Sequence, residues 1–360
     1  MPFERSPLSY RISRKLRFTE VRREKLLLAS HRLKEISFAV LRHRMGGVGV
    51  AILVFFVSMA LAAPFLPIAD YEARVGSHEF VVAITENGVT RNETISVSLI
   101  LEGPTFEEHL HEIRLEIEEN NVTRYESGNA THGPHLFGTD GNGKDIFSRV
   151  IWGSRVSLTV GFLASVIASV LGTLVGLASG YLSHSVDEVL MRFNDIFLSL
   201  PFLAILILLS AVLGQLKIEL IILLIGLFSW NFTARVVRAQ VLSVKERLFV
   251  ERARAAGVGN LTILRKHIFP NVFPLVFANT ILTVAVAILS ESALAFLGRI
   301  DPESLSWGII LSEATQASAS LIGAWAWIVM PGLALVFVIL GFSLLGFALD
   351  EVLNPRLRER

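Results

Sequence analysis

Cysteine is absent from all 360 residues, and charged residues are scarce. Without a thiol, the chain can form neither a disulfide nor a thiolate metal site. Asp, Glu, Lys and Arg make up 18% of the sequence, whereas a soluble domain carries roughly a quarter. The mean hydropathy is +0.57. These features argue against a soluble enzyme and direct attention to the long apolar runs.

The sequence also lacks the short motifs of common catalytic and metal sites. No HExxH, CxxC or GxSxG pattern occurs. Residues Gly138–Lys144 nearly match a phosphate-binding loop, but Asp145 stands where that loop needs Ser or Thr to hold magnesium. Four of the nine histidines fall in one region, at His109, His111, His132 and His135. They could form a metal site, although exposed loop histidines are the simpler interpretation. We predict no catalytic and no metal-ligating residue.

Six apolar runs are long enough to cross a bilayer. A spanning helix needs about 20 mostly apolar residues, because its backbone polar groups must be satisfied within the segment. The runs are Gly47–Phe65, Val156–Tyr181, Ile196–Leu213, Ile218–Arg235, Val272–Leu297 and Trp325–Leu349. The fourth is the weakest, because Glu219 and Asn231 lie near its ends. The first follows a long basic segment, so we do not interpret it as a cleavable signal peptide. The pattern predicts an all-α membrane protein with six transmembrane helices.

The distribution of basic residues predicts the orientation of these spans. Residues 1–46 carry twelve Lys and Arg against four Glu, and cytoplasmic segments are rich in Lys and Arg. Within this segment, Thr19–Met45 could be either an amphipathic helix on the membrane surface or a solvated tail. The loop between the fourth and fifth spans is also basic, and six spans bring the tail, residues 351–360, to the same side. We expect a multi-pass protein of the cell membrane with both termini in the cytoplasm.

One sizeable region lies between the first transmembrane helix, residues 47–66, and the remaining five. Residues 67–135 are predicted to form a small β-rich external insertion, followed by a membrane core at residues 136–350. Strand-length apolar clusters occur at Phe80–Thr85, Thr94–Leu101 and Ile113–Glu118. Glu86-Asn87-Gly88 fits a hairpin turn between the first two. We expect this insertion to contact a partner outside the membrane.

The most informative loop, about residues 244–271, joins the fourth and fifth spans. Val244–Ala256 is rich in helix-forming residues and Gly257 is a typical C-terminal stop, so we predict a helix there. A second short helix is predicted over Asn260–Phe269, before Pro270. Two Arg-rich helices joined by a glycine could dock on another protein. A basic loop that merely obeys the positive-inside rule would look similar.

This loop resembles the EAA loop of ABC importer permeases. That pattern starts with Glu-Ala-Ala, continues with Gly and closes with Ile-Leu-Pro. The corresponding residues here are Glu251-Arg252-Ala253, Gly257 and Ile268-Phe269-Pro270. Arg252 replaces the first Ala and Phe269 replaces the Leu, which leaves the role of Arg252 open.

Three further segments resemble the C-type subunit of the dipeptide, oligopeptide and nickel branch of these permeases. They are Leu136–Leu158, Glu291–Ala314 and the stretch from Trp325 to Arg358. Lys144 stands where that branch usually has Arg, and the insertion between Asp70 and Thr131 is not part of the resemblance. Four motifs in the same order imply the type I ABC importer permease fold.

The resemblance also implies partners and a role for the loop. In that family the EAA loop supplies a coupling helix that sits in a groove of a cytoplasmic ATPase subunit. The residues that would couple here are Glu251, Arg252, Ala253, Arg254, Ala255, Ala256 and Gly257. The implied partners are a second related permease, two ATPase subunits, an external substrate-binding protein and membrane lipids, with no nucleic acid. The chain would bind no cofactor, since ATP and magnesium would lie on the ATPases. Peptides are the leading substrate class, with nickel and oligosaccharides as alternatives.

Two acidic residues are candidates for the substrate path. Glu291 lies 19 residues beyond Val272, on the order of 28 Å along the helix, near the outer end of the fifth span. An intramembrane carboxylate is a functional candidate, although it could instead pair with Arg299 or a partner subunit. Asp195, with Pro201, matches the family at the inner end of the third span.

Other features of the spans favour a permease over two alternatives. Gly172, Gly176 and Gly180 share one helix face and predict close helix packing. A secondary transporter is expected to show inverted repeats and several buried charges, whereas these spans are nearly free of charge. A membrane enzyme needs a nucleophile with its base or a metal cluster, and the sequence offers neither within the spans.

Overall fold

The fold is described from a computed structural model. It describes residues 35–66 and 136–353, together with the backbone of four strands between residues 77 and 132. Residues 35–42 are helical, so this part of Thr19–Met45, for which an amphipathic helix and a solvated tail were both open, is a helix, and residues 19–34 lie outside the described residues.

The described membrane region is mostly helical. The helices are α1 (Arg44–Ala62), α2 (Ile146–Tyr181), α3 (His184–Ser199), α4 (Phe202–Leu213), α5 (Ile218–Phe228), α6 (Trp230–Lys245), α7 (Leu248–Ala255), α8 (Asn260–Ile263), α9 (Phe269–Phe296), α10 (Trp307–Gln316) and α11 (Trp325–Leu353). A π-helical turn, Leu264–Ile268, joins α8 to α9. Five helical segments are long and apolar enough to span a membrane, one of them α5 and α6 together, Ile218–Lys245, and the bent pair α3–α4 brings the number to six. The six predicted spans therefore correspond to helices.

The third span differs from its prediction as a single helix. α3 and α4 meet at an angle of 75°, so the prediction of a continuous helix over Ile196–Leu213 is wrong. Pro201 has no N–H to donate and restricts Leu200 to an extended conformation, here φ −88° and ψ 130°. The length of α4 alone is on the order of 18 Å, which is shorter than the hydrocarbon core of a bilayer, about 30 Å.

The insertion contains two antiparallel hairpins. Strand β1 (Ser77–Glu86) pairs with β2 (Val89–Ser98), from Ser77 opposite Ser98 to Glu86 opposite Val89. Strand β3 (His109–Glu119) pairs with β4 (Val122–His132). β1 and β3 contain the predicted strands Phe80–Thr85 and Ile113–Glu118. β2 contains the first five residues of the predicted Thr94–Leu101, whose last three lie outside the described residues, and β4 had not been predicted. The hairpin between the first two strands is also confirmed by their pairing, although Asn87 and Gly88 themselves lie outside the described residues.

The glycine face of α2 packs directly against α6. A Cβ atom on Gly176 would stand 2.6 Å from Cβ of Val237 and 2.7 Å from the carbonyl oxygen of Ala234. Gly172 and Gly180 would make equally close contacts with the same helix. The prediction of close helix packing is confirmed, and it explains why no side chain occupies these three positions.

At the end of the bundle opposite α7, the short helix α10 fills the space between the long helices. Trp307, its first residue, is fully buried, and its Nε1 donates to the carbonyl oxygen of Val150 in α2 at 2.8 Å. The ring of Phe56 in α1 meets it edge-on, with 5.8 Å between centroids. This cluster joins α1, α2, α9, α10 and α11 into one apolar core.

Candidate functional site

The predicted coupling segment contains a separate two-turn helix, α7. It begins at Leu248, four residues later than predicted, because Arg247 is extended, with φ −77° and ψ 143°. The predicted end is confirmed. The N–H of Val258 donates to Ala253 and the N–H of Gly257 to Arg254, at 3.1 and 3.0 Å. Gly257 has a φ of +75°, as the left-handed residue of this C-terminal motif requires.

α7 is anchored to the bundle by one side only. Val250 is fully buried, and it packs in a cluster that also contains Val241 and Val244 of α6 and Ile263 and Val272 of the following helices. Ala253 and Val258 are partly buried against the same cluster. The inner side of α7 therefore holds it at a fixed position relative to α6 and α9.

The opposite side of α7 is exposed. Of the seven residues predicted to couple, Ala253 faces the cluster, and the exposed ones are Glu251, Arg252, Arg254, Ala255, Ala256 and Gly257. Leu248, at the start of the helix, is 68% exposed. We call Leu248 and these six exposed residues the α7 surface. It combines charged and apolar groups on α7 and the two residues that follow it, a composition suited to docking.

The chain that follows α7 runs continuously into a membrane span. The prediction of a separate helix over Asn260–Phe269 is wrong, because α8, the π-turn and α9 form one helical segment from Asn260 to Phe296. Gly259 is the residue that caps this segment, and the side chain of Asn260 accepts a hydrogen bond from the hydroxyl of Tyr181 at 3.1 Å. A displacement of α7 would thus act directly on α9.

Polar contacts join neighbouring helices at the end of the bundle where α7 lies. Arg238 of α6 donates two hydrogen bonds to the carboxylate of Asp187 in α3, at 2.6 and 2.7 Å. Arg235 contacts Asp195 at 2.6 Å, and both side chains are about half exposed. The ammonium group of Lys245 donates to the carbonyl oxygen of Gly180 at 3.1 Å. Asp195 is therefore one half of an α3–α6 ion pair, and its predicted place on the substrate path stays a prediction.

Glu291 lies in a buried group of serine hydroxyls. It is 1% exposed, and its carboxylate accepts from the hydroxyls of Ser292 and Ser157 at 3.2 and 3.4 Å. The N–H of Trp307 donates to the same Ser157 hydroxyl at 3.3 Å. Within the described residues no ion pair joins Glu291 to Arg299, so that alternative is not seen. Glu291 ties α9 to α2 in this conformation, and its contact with a solute stays a prediction.

The loop that resembled a phosphate-binding loop makes its own internal contacts. The carboxylate of Asp140 accepts from the N–H groups of Asn142 and Lys144 and pairs with Arg149. Asp145 caps α2 by accepting from the N–H of Ser148 at 2.8 Å. Two main-chain donors that could face a phosphate are thus used within the loop. The histidines considered for a metal site fall outside the side chains described.

Comparison with known proteins decides the family. Residues 172–359, just over half of the chain, match the family model described as binding-protein-dependent transport system inner membrane component. The chain belongs to this family. The match covers the glycine face, the α7 surface and the last two spans, and it makes the chain a multi-pass inner-membrane component of a transport system.

Several relatives cover more of the chain. The oligopeptide transport system permease protein OppC of Haemophilus influenzae is 40% identical over 225 residues, which are 62% of this chain and 71% of that protein. The dipeptide transport system permease protein DppC of Bacillus subtilis is 34% identical over 225 residues, 62% and 69% of the two chains. A putative peptide permease protein of Brucella suis is 32% identical over 277 residues, 76% and 91% of the two chains.

A solved structure also aligns with part of the chain. A chain of the methionine ABC transporter MetNI, in an inward-facing conformation, aligns with a TM-score of 0.47 at 18% identity. The alignment covers 57% of this chain and 94% of the other.

Proposed function

We propose that this membrane component is one permease subunit of an ATP-driven importer of peptides, and that α7 couples it to a separate ATPase subunit. The similarity to permeases named for oligopeptides and dipeptides supports the substrate class. The observation that carries the coupling role is the one-sided anchoring of α7. Val250 is buried in the bundle, while the α7 surface is left exposed.

The proposed mechanism needs no chemistry in this chain. ATP and magnesium would be bound by two ATPase subunits on the cytoplasmic side, where α7, both termini and the basic loops would lie. Closure of the ATPases would push α7. Because α7 is packed on α6 and joined to α9, both spans would move as a body, and such rigid-body movement is a route to alternating access. A second, related permease would complete the path, and a substrate-binding protein would deliver the peptide from outside.

Charge reversal on the α7 surface tests this proposal. We expect R252E/R254E to lower ATP-driven uptake of a labelled tripeptide about tenfold or more, because loss of a charge pair at an interface costs about 2–5 kcal/mol. Uptake is measured in vesicles that contain the whole complex, and the amount of ATPase that copurifies with the chain is measured in parallel. Arg192→Glu, an exposed arginine of α3, is the matched control.

Two results would contradict the coupling role. One is full uptake and full ATPase recovery with R252E/R254E. The other is tripeptide uptake by the purified chain without any ATPase, which would favour a secondary carrier.

The insertion gives a second test of the assembly. We propose that the β-hairpins contact the substrate-binding protein, because they lie between the first two spans on the side opposite α7 in the proposed topology. Deletion of residues 75–130 should then impair uptake while the remaining subunits still copurify. Unchanged uptake by the deletion variant would show that the hairpins have another role.

A further inference from the structure

Two interrupted helices meet at one cavity inside the bundle. The first interruption is the 75° bend between α3 and α4. The second separates α5 from α6 at Ser229, with φ −99° and ψ 1°. Both interruptions, together with the middle of α9, line a cavity of about 350 Å³. Interrupted helices at membrane depth are typical of solute sites in transporters, because irregular backbone is tolerated there only beside protein or water.

The lining of this cavity is polar on one part and aromatic on the other. The polar residues are Ser229, Asn231, Asn279 and Thr283, and the aromatic ones are Phe197, Phe202, Phe228 and Phe232. Among the described residues that line it, none is charged. Phe232 and Val286 are exposed at its rim, so the cavity opens on a face that the described part of the chain leaves uncovered.

Three helices independently place the cavity at about half the depth of the bilayer. Phe202 is eleven residues from the end of α4 at Leu213, and Ser229 is eleven residues from the start of α5 at Ile218. Thr283 is thirteen residues from the end of α9. At 1.5 Å per residue these distances are on the order of 17 to 20 Å from the same end of the bundle. Half of the hydrocarbon core is about 15 Å.

One buried acceptor beside the cavity has no partner. Asn231 is 6% exposed, and its side-chain Oδ1 accepts no hydrogen bond within the described part of the chain. Asn279 is similarly buried, and its Nδ2 donates to the hydroxyl of Thr233 at 2.7 Å, which fixes the orientation of its amide. An unpaired buried acceptor is unfavourable unless a ligand or water supplies a donor.

We propose that this cavity contacts the transported peptide through its main-chain amide groups. The inference rests on the proposed function and names where in this chain the solute is touched. Amide and hydroxyl side chains can pair with peptide N–H and C=O groups, which all peptides share. With no charged lining residue, the cavity has no means to select peptides by side-chain charge, while the aromatic rings offer apolar contact to varied side chains.

Water access to the cavity is the first test. Because the chain has no cysteine, a single introduced thiol reports without background from the chain itself. We expect Thr283→Cys to react with a small water-soluble thiol reagent about tenfold faster than Val54→Cys, because the reactive thiolate forms only where water reaches the sulfur. Val54 is an exposed residue in the middle of α1 and serves as the apolar reference. Equal rates for the two variants would overturn the proposal.

Removal of the free acceptor is the second test. We expect Asn231→Leu, in the whole complex, to lower the uptake of labelled trialanine about tenfold, the effect of one lost hydrogen bond to a buried group. ATP hydrolysis and the amount of assembled complex should be unchanged. Asn142→Leu is the control, because Asn142 is exposed in the loop before α2 and is not among the residues that line the cavity.

The outcomes separate this inference from the proposed function. If the wild-type complex imports trialanine and the Asn231→Leu complex imports it equally well, the cavity assignment is overturned and the proposed function stands. A wild-type complex that imports no trialanine counts against the proposed function and against the cavity as a peptide site. If Asn231→Leu does not assemble, the thiol-labelling rates decide, since they require neither that variant nor a substrate.

Discussion

Replacing Arg149 by leucine should lower the free energy of unfolding by about 3–5 kcal/mol, because it leaves the buried carboxylate of Asp140 without a counter-charge. The side chain of Arg149 is 4% exposed and pairs with Asp140, which is fully buried. It also contacts the carboxylate of Glu313 in α10 at 2.5 Å. The arginine thus joins the loop before α2 to the buried short helix. Denaturant unfolding of the purified chain in detergent measures the loss.

The matched control is Arg235→Leu. Arg235 also forms an ion pair, with Asp195 at 2.6 Å, but the two side chains are 53% and 49% exposed. Water solvates both charges there, so we expect a change of only about 0–1 kcal/mol. Equal losses for the two variants would show that burial does not determine the contribution of the Arg149 pairs.

Gly176→Ala should destabilise the bundle by about 1–3 kcal/mol, the usual cost of overpacking a tight core. Its new Cβ would lie 2.6 Å from Cβ of Val237 and 2.7 Å from a main-chain oxygen, and backbone cannot move aside as the end of a side chain can. α2 and α6 would have to separate. Thermal unfolding followed by size-exclusion chromatography checks the prediction.

Gly332→Ala, in the third turn of α11, provides the comparison. A Cβ atom at Gly332 meets nothing within 4 Å. Alanine is favoured over glycine in helices by about 0.8–1.0 kcal/mol, so this variant should be neutral or slightly more stable. A similar loss of stability in both variants would mean that helix packing is not the reason for the glycine at position 176.

The same packing bears on the coupling role proposed for α7. α6 is held against α2 by the glycine face, and Val250 packs on the end of α6. A force on the α7 surface would therefore reach the glycine interface as well as α9. In a bundle this closely packed, the proposed coupling requires movement of whole helices rather than bending of one loop.

The sequence by itself determined the features that depend on neighbouring residues. The spans could be predicted from apolar runs, because in lipid each helix forms the hydrogen bonds of its own backbone polar groups. The end of α7 at Gly257 follows from the local freedom of glycine at positive φ, and the first hairpin from the alternation on either side of residues 86–88. The glycine face also follows from spacing alone, although its partner helix does not.

Only the tertiary structure decided which distant residues meet. Pro201 was visible in the third apolar run, but that run was predicted as one helix, and the 75° bend between α3 and α4 came only from the structure. Ser157 contacts Glu291, which lies 134 residues later in the sequence, and Arg149 contacts Glu313, which is similarly distant in the sequence. Asn231 was visible as a polar residue in an apolar run, but its cavity joins three separate segments. Local pattern fixes helix length and face, whereas such pairings arise from the packing of helices that sequence spacing does not encode.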